Sequence, residues 1–402
     1  MNNNMGKYVL LLLLMALLPG SVRPQNDQVR ELLARQRLVV IMFDGFGMSY
    51  YQDAPMPFVK SIAGKGFFQE VKALMPTVTN TNNASICCGT FPEANGITGN
   101  SFLAADGKEE YMESRDLLLS PTLFERLQRM HIPSALLSSK KKSIGLLSKG
   151  TTVALSPEIA DSVWTARLGR PPGIYSPEVN YWTMNAALSL LKDQPEIRCL
   201  YIHTTDYPMH MWAPEDPRSR QHLAKMDSLI AQIARVAPDA MILITADHDL
   251  GHKDRCVDIE KTLAAQGIPL RMAISAERDK YLKHHRGFGG TSYVYLARPA
   301  DEAAVKDALV KIKGVERVLT RQEAIAEFHL MADRIGDLVV LGDEATVFGT
   351  LEDKAEEELP ADYRTHGSLH EVRVPLLIYN APALPPANYF VYNKDITTWL
   401  FR

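Results

Sequence analysis

Leu38-Val39-Val40-Ile41-Met42-Phe43-Asp44 is an unbroken apolar run that stops on an aspartate. The pattern returns in Leu200-Tyr-Ile-His-Thr-Thr-Asp206 with His210 behind it, and in Met241-Ile-Leu-Ile-Thr-Ala-Asp247-His248, with Thr365-His366-Gly367 following near the end. Short continuous apolar runs read as strands buried on both faces, which is how parallel sheets look in sequence. In open α/β sheets the loops at the carboxyl ends of the strands build the site. One aspartate at a strand end is ordinarily a cap or a turn residue. Three aspartates behind strand-like runs, with three histidines in this order, instead make a ligand set for two metal ions. Divalent ions accept such a mixture of carboxylate and imidazole, with zinc favoured where histidine is plentiful. Three ligands per ion leave positions open for a substrate, as a catalytic site requires.

Working outward, strand-like and helix-like segments alternate: Leu38–Phe43, a helix over Pro57–Lys65, an extended stretch over Phe67–Leu74, a helix over Ser120–Met130 opened by Ser120 and Pro121, and a strand over Ser134–Leu137. Longer helices over Asn180–Leu191 and His222–Val236 each precede a ligand-bearing strand. This rhythm predicts a parallel sheet flanked by helices. Beyond Cys256 the rhythm changes: strands at Leu270–Ile274 and Thr291–Leu296 and helices at Asp301–Ile312 and Arg321–Phe328 read as a compact α+β insertion. Asp337–Leu341 and Val374–Tyr379 read as strands returning to the core. The expected organisation is a core over 36–256 and 345–402 with an inserted cap over 257–344.

The chain has 402 residues, 46% of them hydrophobic, enough for a large core, and a formal net charge of -3. That charge gives no basic footprint, so nucleic-acid binding is not expected. Met1 to Ser21, with Lys7, a leucine-rich centre and a small-residue exit, reads as a secretory signal peptide within 1–24. The protein is therefore expected to be exported, periplasmic or secreted, with no membrane span after signal removal. The cysteines Cys87, Cys88, Cys199 and Cys256 show no C-x-x-C spacing, so a cysteine metal site is not expected. Nothing in the sequence fixes an oligomeric state; a homodimer stays an open option.

Between the first two ligand segments lies Pro76-Thr-Val-Thr79-Asn-Thr-Asn-Asn-Ala-Ser85. A hydroxyl beside a metal pair gains the activation it lacks in water. Polarity alone does not separate Thr79 from Thr77, Thr81 or Ser85. Asn95-Gly-Ile-Thr-Gly-Asn100 offers an amide that could meet charge developing on a phosphoryl oxygen.

Taken together, these residues resemble the alkaline phosphatase superfamily, in its phosphonoacetate hydrolase and nucleotide pyrophosphatase/phosphodiesterase branch. The resemblance rests on Phe43-Asp44-Gly45, on the six ligands in order, on Pro76-Thr-x-Thr79-Asn-x-Asn-Asn before Gly89, and on Gly99-Asn100. It implies an alkaline-phosphatase-like core with a mainly parallel central sheet flanked by helices, plus a smaller inserted α+β cap. It implies two Zn2+ ions, one held by Asp206, His210 and His366 and the other by Asp44, Asp247 and His248. It implies Thr79 as nucleophile, with Asn100 and the Thr79 backbone amide on a non-bridging oxygen. The loop from Thr205 to Pro214 is similar to the phosphonoacetate hydrolase version. The Ser139-Lys140-Lys-Lys142 turn resembles a segment there whose basic residues contact a substrate carboxylate, which makes Lys140 and Lys142 substrate-binding candidates. His284-His285-Arg286-Gly287 and Thr365 to Glu371 resemble later segments of that family. His252, His284, His285 and His370 read as surface or supporting histidines rather than ligands.

The expected substrate is thus a small-molecule phosphonate or phosphate ester, foremost phosphonoacetate, cleaved at its C–P bond to acetate and phosphate. The alternative is a nucleotide pyrophosphatase or phosphodiesterase using the same residues. A sulfatase is disfavoured because no Cys-x-Pro-x-Arg segment exists. A non-catalytic binding homologue is disfavoured by the complete ligand set.

Overall fold

The computed structural model describes residues 25–280 and 286–401. The expected signal peptide and His284-His285 lie outside the described residues. Six strands of the central sheet come first in the chain: β1 (Leu38–Met42), β2 (Phe67–Lys72), β3 (Ser134–Ser138), β4 (Val153–Leu155), β5 (Cys199–His203) and β6 (Met241–Thr245). The chain then builds β7 (Leu270–Ser275), β8 (Thr291–Leu296), β9 (Val315–Thr320) and β10 (Leu338–Gly342), and returns with β11 (Arg373–Tyr379).

The central sheet runs β2-β11-β6-β1-β5-β3-β4. β1 pairs in parallel with both β5 and β6, and β3 in parallel with β4 and β5. β11 alone is reversed, antiparallel to β6 and β2. All five residues of β1, β3, β5 and β6 are buried, so both sheet faces are covered. One set of flanking helices groups Pro57–Lys65, Glu178–Asp193 and Pro217–Val236. This is the expected fold class, a large, mostly parallel α/β sheet flanked by helices.

Two expectations about elements change. Asp337–Leu341 does not rejoin the core: β10 is an inner strand of a separate antiparallel sheet of order β7-β8-β10-β9. Its run Leu338-Val-Val-Leu-Gly342 is fully buried there, and an unbroken apolar run reads alike in any buried strand. Its neighbour β9 is not legible, because Val315-Glu-Arg-Val alternates too briefly. The helix expected from Ser120 begins at Leu123, with Thr122 closing a reciprocal cap with Glu125.

Register places the site. Met42 is level with His203 on one side and with Thr245 on the other. The loops carrying Asp44, Asp206 and Asp247 therefore leave three neighbouring strands at one edge. Because β11 runs the other way, its start lies at that same edge, and the loop before it brings His366 there. β2 also ends there and leads to α1 (Thr79–Cys88).

Candidate active site

The six expected ligands converge. Asp44, Asp247 and His248 each offer an atom within 4.8 Å of the others, and so do Asp206, His248 and His366. The His248 and His366 rings stack at 3.7 Å between centroids, which puts His248 in reach of both groups. His210 joins through Nε2, 2.9 Å from Asp206 Oδ2. In each of these histidines Nδ1 faces a backbone carbonyl: Asp249 at 3.0 Å for His248, Arg364 at 2.8 Å for His210 and Thr77 at 2.7 Å for His366. A carbonyl oxygen only accepts, so Nδ1 is the donor and each Nε2 lone pair points into the carboxylates. This is the wiring that metal-bound imidazoles carry.

Two atoms in the middle lack a hydrogen-bond partner: Asp247 Oδ2 and His366 Nε2, both buried. A buried polar atom left unpaired costs roughly 1–3 kcal/mol. A divalent cation satisfies carboxylate and imidazole lone pairs together, so the donor set fits the expected metal pair. Electrostatics agree with that fit. Burial, and then the charge of Asp44, push Asp247 well above the usual carboxylate range. Burial and Asp206 would raise Asp44 too, but Lys140 and His203 outweigh them and hold it at about 2. Burial, followed by the neighbouring His248 and His210, holds His366 well below the usual imidazole value, so its Nε2 stays a lone-pair donor.

Thr79 is the first residue of α1, with Val78 as cap, and it alone in that helix is not fully buried. Its Oγ1 lies 3.4 Å from Asp44 Oδ1 and 3.4 Å from His248 Nε2. The other hydroxyls do something else. Thr77 Oγ1 donates to Ser368 O at 2.8 Å and accepts from Gly367 N at 3.0 Å, fixing the His366 loop. Ser85 Oγ accepts from Asn95 at 2.9 Å. Although Thr-Asn runs read as turns, this one is helical because the helix is buried and its amides find partners: Asn80 donates to Met112 O and Asn82 exchanges bonds with Leu74.

Lys140 and Lys142 open a helix rather than a turn, α2 (Lys141–Leu147), with Lys140 as its extended cap residue. Ser143 and Gly145 blur the apolar spacing that would have marked it. Lys140 Nζ donates to Asp44 Oδ2 at 2.7 Å and to Asp206 Oδ1 at 3.0 Å. Lys142 Nζ donates to Asn100 Oδ1 at 3.3 Å and pairs with Asp279. Asn100 Nδ2 in turn donates to Glu277 Oε2 at 3.3 Å. Thr79, Asn100, Lys140, Lys142, Asp206, Glu277 and Asp279 line a cavity of about 570 Å³ together with Asn80, Ile174 and Tyr175. His252 and His370 are exposed, as expected.

Glu277 and Asp279, on the segment after β7, were not singled out in the sequence, nor was His203. Glu277 follows the expected strand Leu270–Ile274, but that strand lies in the second sheet, whose approach to the site no local pattern announces. His203 lies inside the strand-like run from Leu200, where it carries no signal of its own.

The family model for type I phosphodiesterase / nucleotide pyrophosphatase matches residues 38–369. The bis(5'-adenosyl)-triphosphatase enpp4 of Mus musculus is 25% identical over 241 residues, which is 56% of this chain and 50% of that protein. The human bis(5'-adenosyl)-triphosphatase ENPP4 is 23% identical over 241 residues, 56% of this chain and 51% of its own. The chain thus spans about half the length of these curated relatives. The phosphonoacetate hydrolase of Sinorhizobium meliloti, solved with phosphonoformate, superposes with a TM-score of 0.82 at 29% identity, covering 91% of this chain and 95% of that one. An inactive variant of murine ectonucleotide pyrophosphatase / phosphodiesterase 5 bound to AMP gives a TM-score of 0.68 at 16% identity, over 91% of this chain and 95% of that one, a likeness of fold. Among the described residues no helix is long and apolar enough to cross a membrane.

Proposed function

Since the chain belongs to the type I phosphodiesterase / nucleotide pyrophosphatase family, we propose that it is a dizinc hydrolase that cleaves the C–P bond of a small phosphonate, phosphonoacetate foremost, through Thr79. The observation that carries this reading is the position of Thr79 Oγ1, 3.4 Å from ligand atoms of Asp44 and His248, in a cavity that Lys140 and Lys142 also line. The 29% identity to a phosphonoacetate hydrolase over nearly the whole chain supports the choice of substrate. In this reading Asp44, Asp247 and His248 hold one zinc and Asp206, His210 and His366 the other. When bound, the metals lower the pKa of a coordinated hydroxyl or water and neutralise phosphoryl charge.

Thr79 Oγ1 releases its proton to solvent and attacks phosphorus, and the P–C bond breaks with its electron pair leaving on the acetate carbon as an enolate, which takes a proton from solvent. Water then attacks phosphorus and releases phosphate, returning the proton to Thr79. The Asn100 amide and the Thr79 N–H, at the positive end of α1, meet the non-bridging oxygen. Lys140 and Lys142 hold the carboxylate. The core over 36–256 and 345–402, the cap over 257–344 and export from the cell belong to this proposal; export rests on the amino-terminal sequence.

A second reading, phosphodiester hydrolysis with the same residues, has its own support. Asp279 already pairs with Lys142, which weakens that lysine as a carboxylate anchor. Ile174 and Tyr175 give the cavity an apolar wall, with the Tyr207 ring 6.3 Å from that of Tyr175. The two readings part on Lys140→Ala and Lys142→Ala assayed with phosphonoacetate and with a neutral aryl phosphodiester. Loss of a buried partner for the substrate carboxylate costs about 2–5 kcal/mol. For Lys142→Ala, phosphonoacetate turnover is expected to collapse while diester turnover changes little, and equal change on both substrates would reject its carboxylate role; Lys140→Ala, which also removes the cation from Asp44 and Asp206, should lower both turnovers, phosphonoacetate the more.

A further inference from the structure

His203 ends β5 and is fully buried, yet it is wired in the opposite sense to the three histidines with carbonyl partners. Its Nδ1 lies 3.1 Å from Asn83 Nδ2. On the far side of that amide the Tyr201 hydroxyl donates to Asn83 Oδ1 at 2.7 Å. Ser138 Oγ also lies 3.0 Å from Nδ1; the carboxylate facing Nε2 only accepts, so the ring proton sits on Nε2 and Nδ1 accepts from Asn83 and Ser138. Nε2 lies 3.2 Å from Asp44 Oδ2. Asp44 is thereby divided between its two oxygens. Oδ2 takes His203 and Lys140, while Oδ1 faces Thr79 Oγ1 at 3.4 Å and His248 Nε2 at 3.7 Å.

The line Tyr201–Asn83–His203–Asp44 is buried throughout, with 0%, 1%, 0% and 0% of each residue exposed, so its bonds face no competition from water. It also has a second end. Asn83 sits one helical turn beyond Thr79 in α1, so the same bonds tie the carboxylate to the helix that carries the hydroxyl.

We infer that His203 is a positioning residue that locks Asp44 with Oδ1 toward the metal and Thr79 and couples it through Asn83 to the nucleophile helix. The inference rests on the dizinc reading. Supporting hydrogen bonds of this kind typically contribute 10- to 100-fold to metal affinity.

The test uses the full chain with zinc as the probe. Zinc stoichiometry and chelator-competition affinities are measured for the wild type, His203→Ala and His203→Gln, beside thermal melting and kcat and KM. The wild type is expected to bind two zinc ions. His203→Ala should weaken one site 10- to 100-fold and leave the other nearly unchanged, lowering kcat more than KM, with excess zinc restoring part of the activity. His203→Gln, which keeps an N–H donor in similar volume, should fall between the two and serves alone if the alanine variant does not fold. A lowered melting temperature with wild-type affinity at both sites would overturn the inference and leave His203 a core residue, as would equal weakening of both sites. A wild type without zinc would overturn the dizinc reading itself, which separates the two failures.

Discussion

Thr77 and Thr79 stand two residues apart and do unlike jobs, because the chain turns into a helix between them. Thr79→Ala is expected to lower kcat by several orders of magnitude with zinc content unchanged, and Thr79→Ser to keep a measurable part by retaining a hydroxyl. Thr77→Val, which removes both bonds to the His366 loop, should instead lose zinc affinity first, so that added zinc recovers activity in Thr77→Val and not in Thr79→Ala. The opposite assignment would follow if added zinc rescued Thr79→Ala. At this scale the sequence was most legible where chemistry and local structure coincide: Asp44, Asp206 and Asp247 each follow an apolar run. It was least legible for Glu277, whose carboxyl reaches Asn100 across a gap of 177 positions. Burial, only partly offset by Lys142, drives that carboxyl well above its usual range, and neither effect exists before folding.

Among the elements, the parallel strands were readable because burial on both faces leaves no polar alternation to confuse them. α1 was not, because its amides are satisfied by the backbone of Leu74 and Met112, partners no local pattern announces. The assignment of β10 to the core failed for a related reason, since periodicity identifies a strand and not its sheet. The contact between the second sheet and the metal loop is close: a Cβ on Gly290, just before β8, would fall 2.4 Å from Ser368 Cβ and 2.8 Å from its backbone nitrogen. Gly290→Ala must therefore push the loop carrying His366. Its expected result is weaker zinc binding by chelator competition with the central sheet intact by circular dichroism; wild-type zinc affinity would show that the loop yields without moving its ligand.

Across the whole molecule, a buried ion pair joins the loop after β6 to the segment before β11 at this edge. Lys253 Nζ donates to Glu371 Oε1 at 2.7 Å and to Glu344 O at 2.7 Å, and Glu371 Oε2 accepts from Ser368 N and Oγ at 2.9 and 2.7 Å. Burial would raise the Glu371 carboxyl, but Lys253 and the Ser368 bonds outweigh it and lower it below the usual range. A depressed carboxylate contributes stability that is complete above its unfolded value, about 4.3, and is lost as pH falls through the folded value. Glu371→Gln should thus destabilise the chain by about 3–5 kcal/mol near neutral pH, since it leaves a buried ammonium unpaired. In urea titrations the gap to wild type should narrow below about pH 4; a gap independent of pH would show that the charge is not what matters. In the proposed reaction Thr79 takes the phosphoryl group at a metal pair. The most direct measurement is peptide mass spectrometry of enzyme quenched in acid during phosphonoacetate turnover. Phosphate on the peptide containing Thr79, absent in Thr79→Ala, is the expected result; steady turnover with that peptide unmodified, or with the phosphate on another residue, would contradict it.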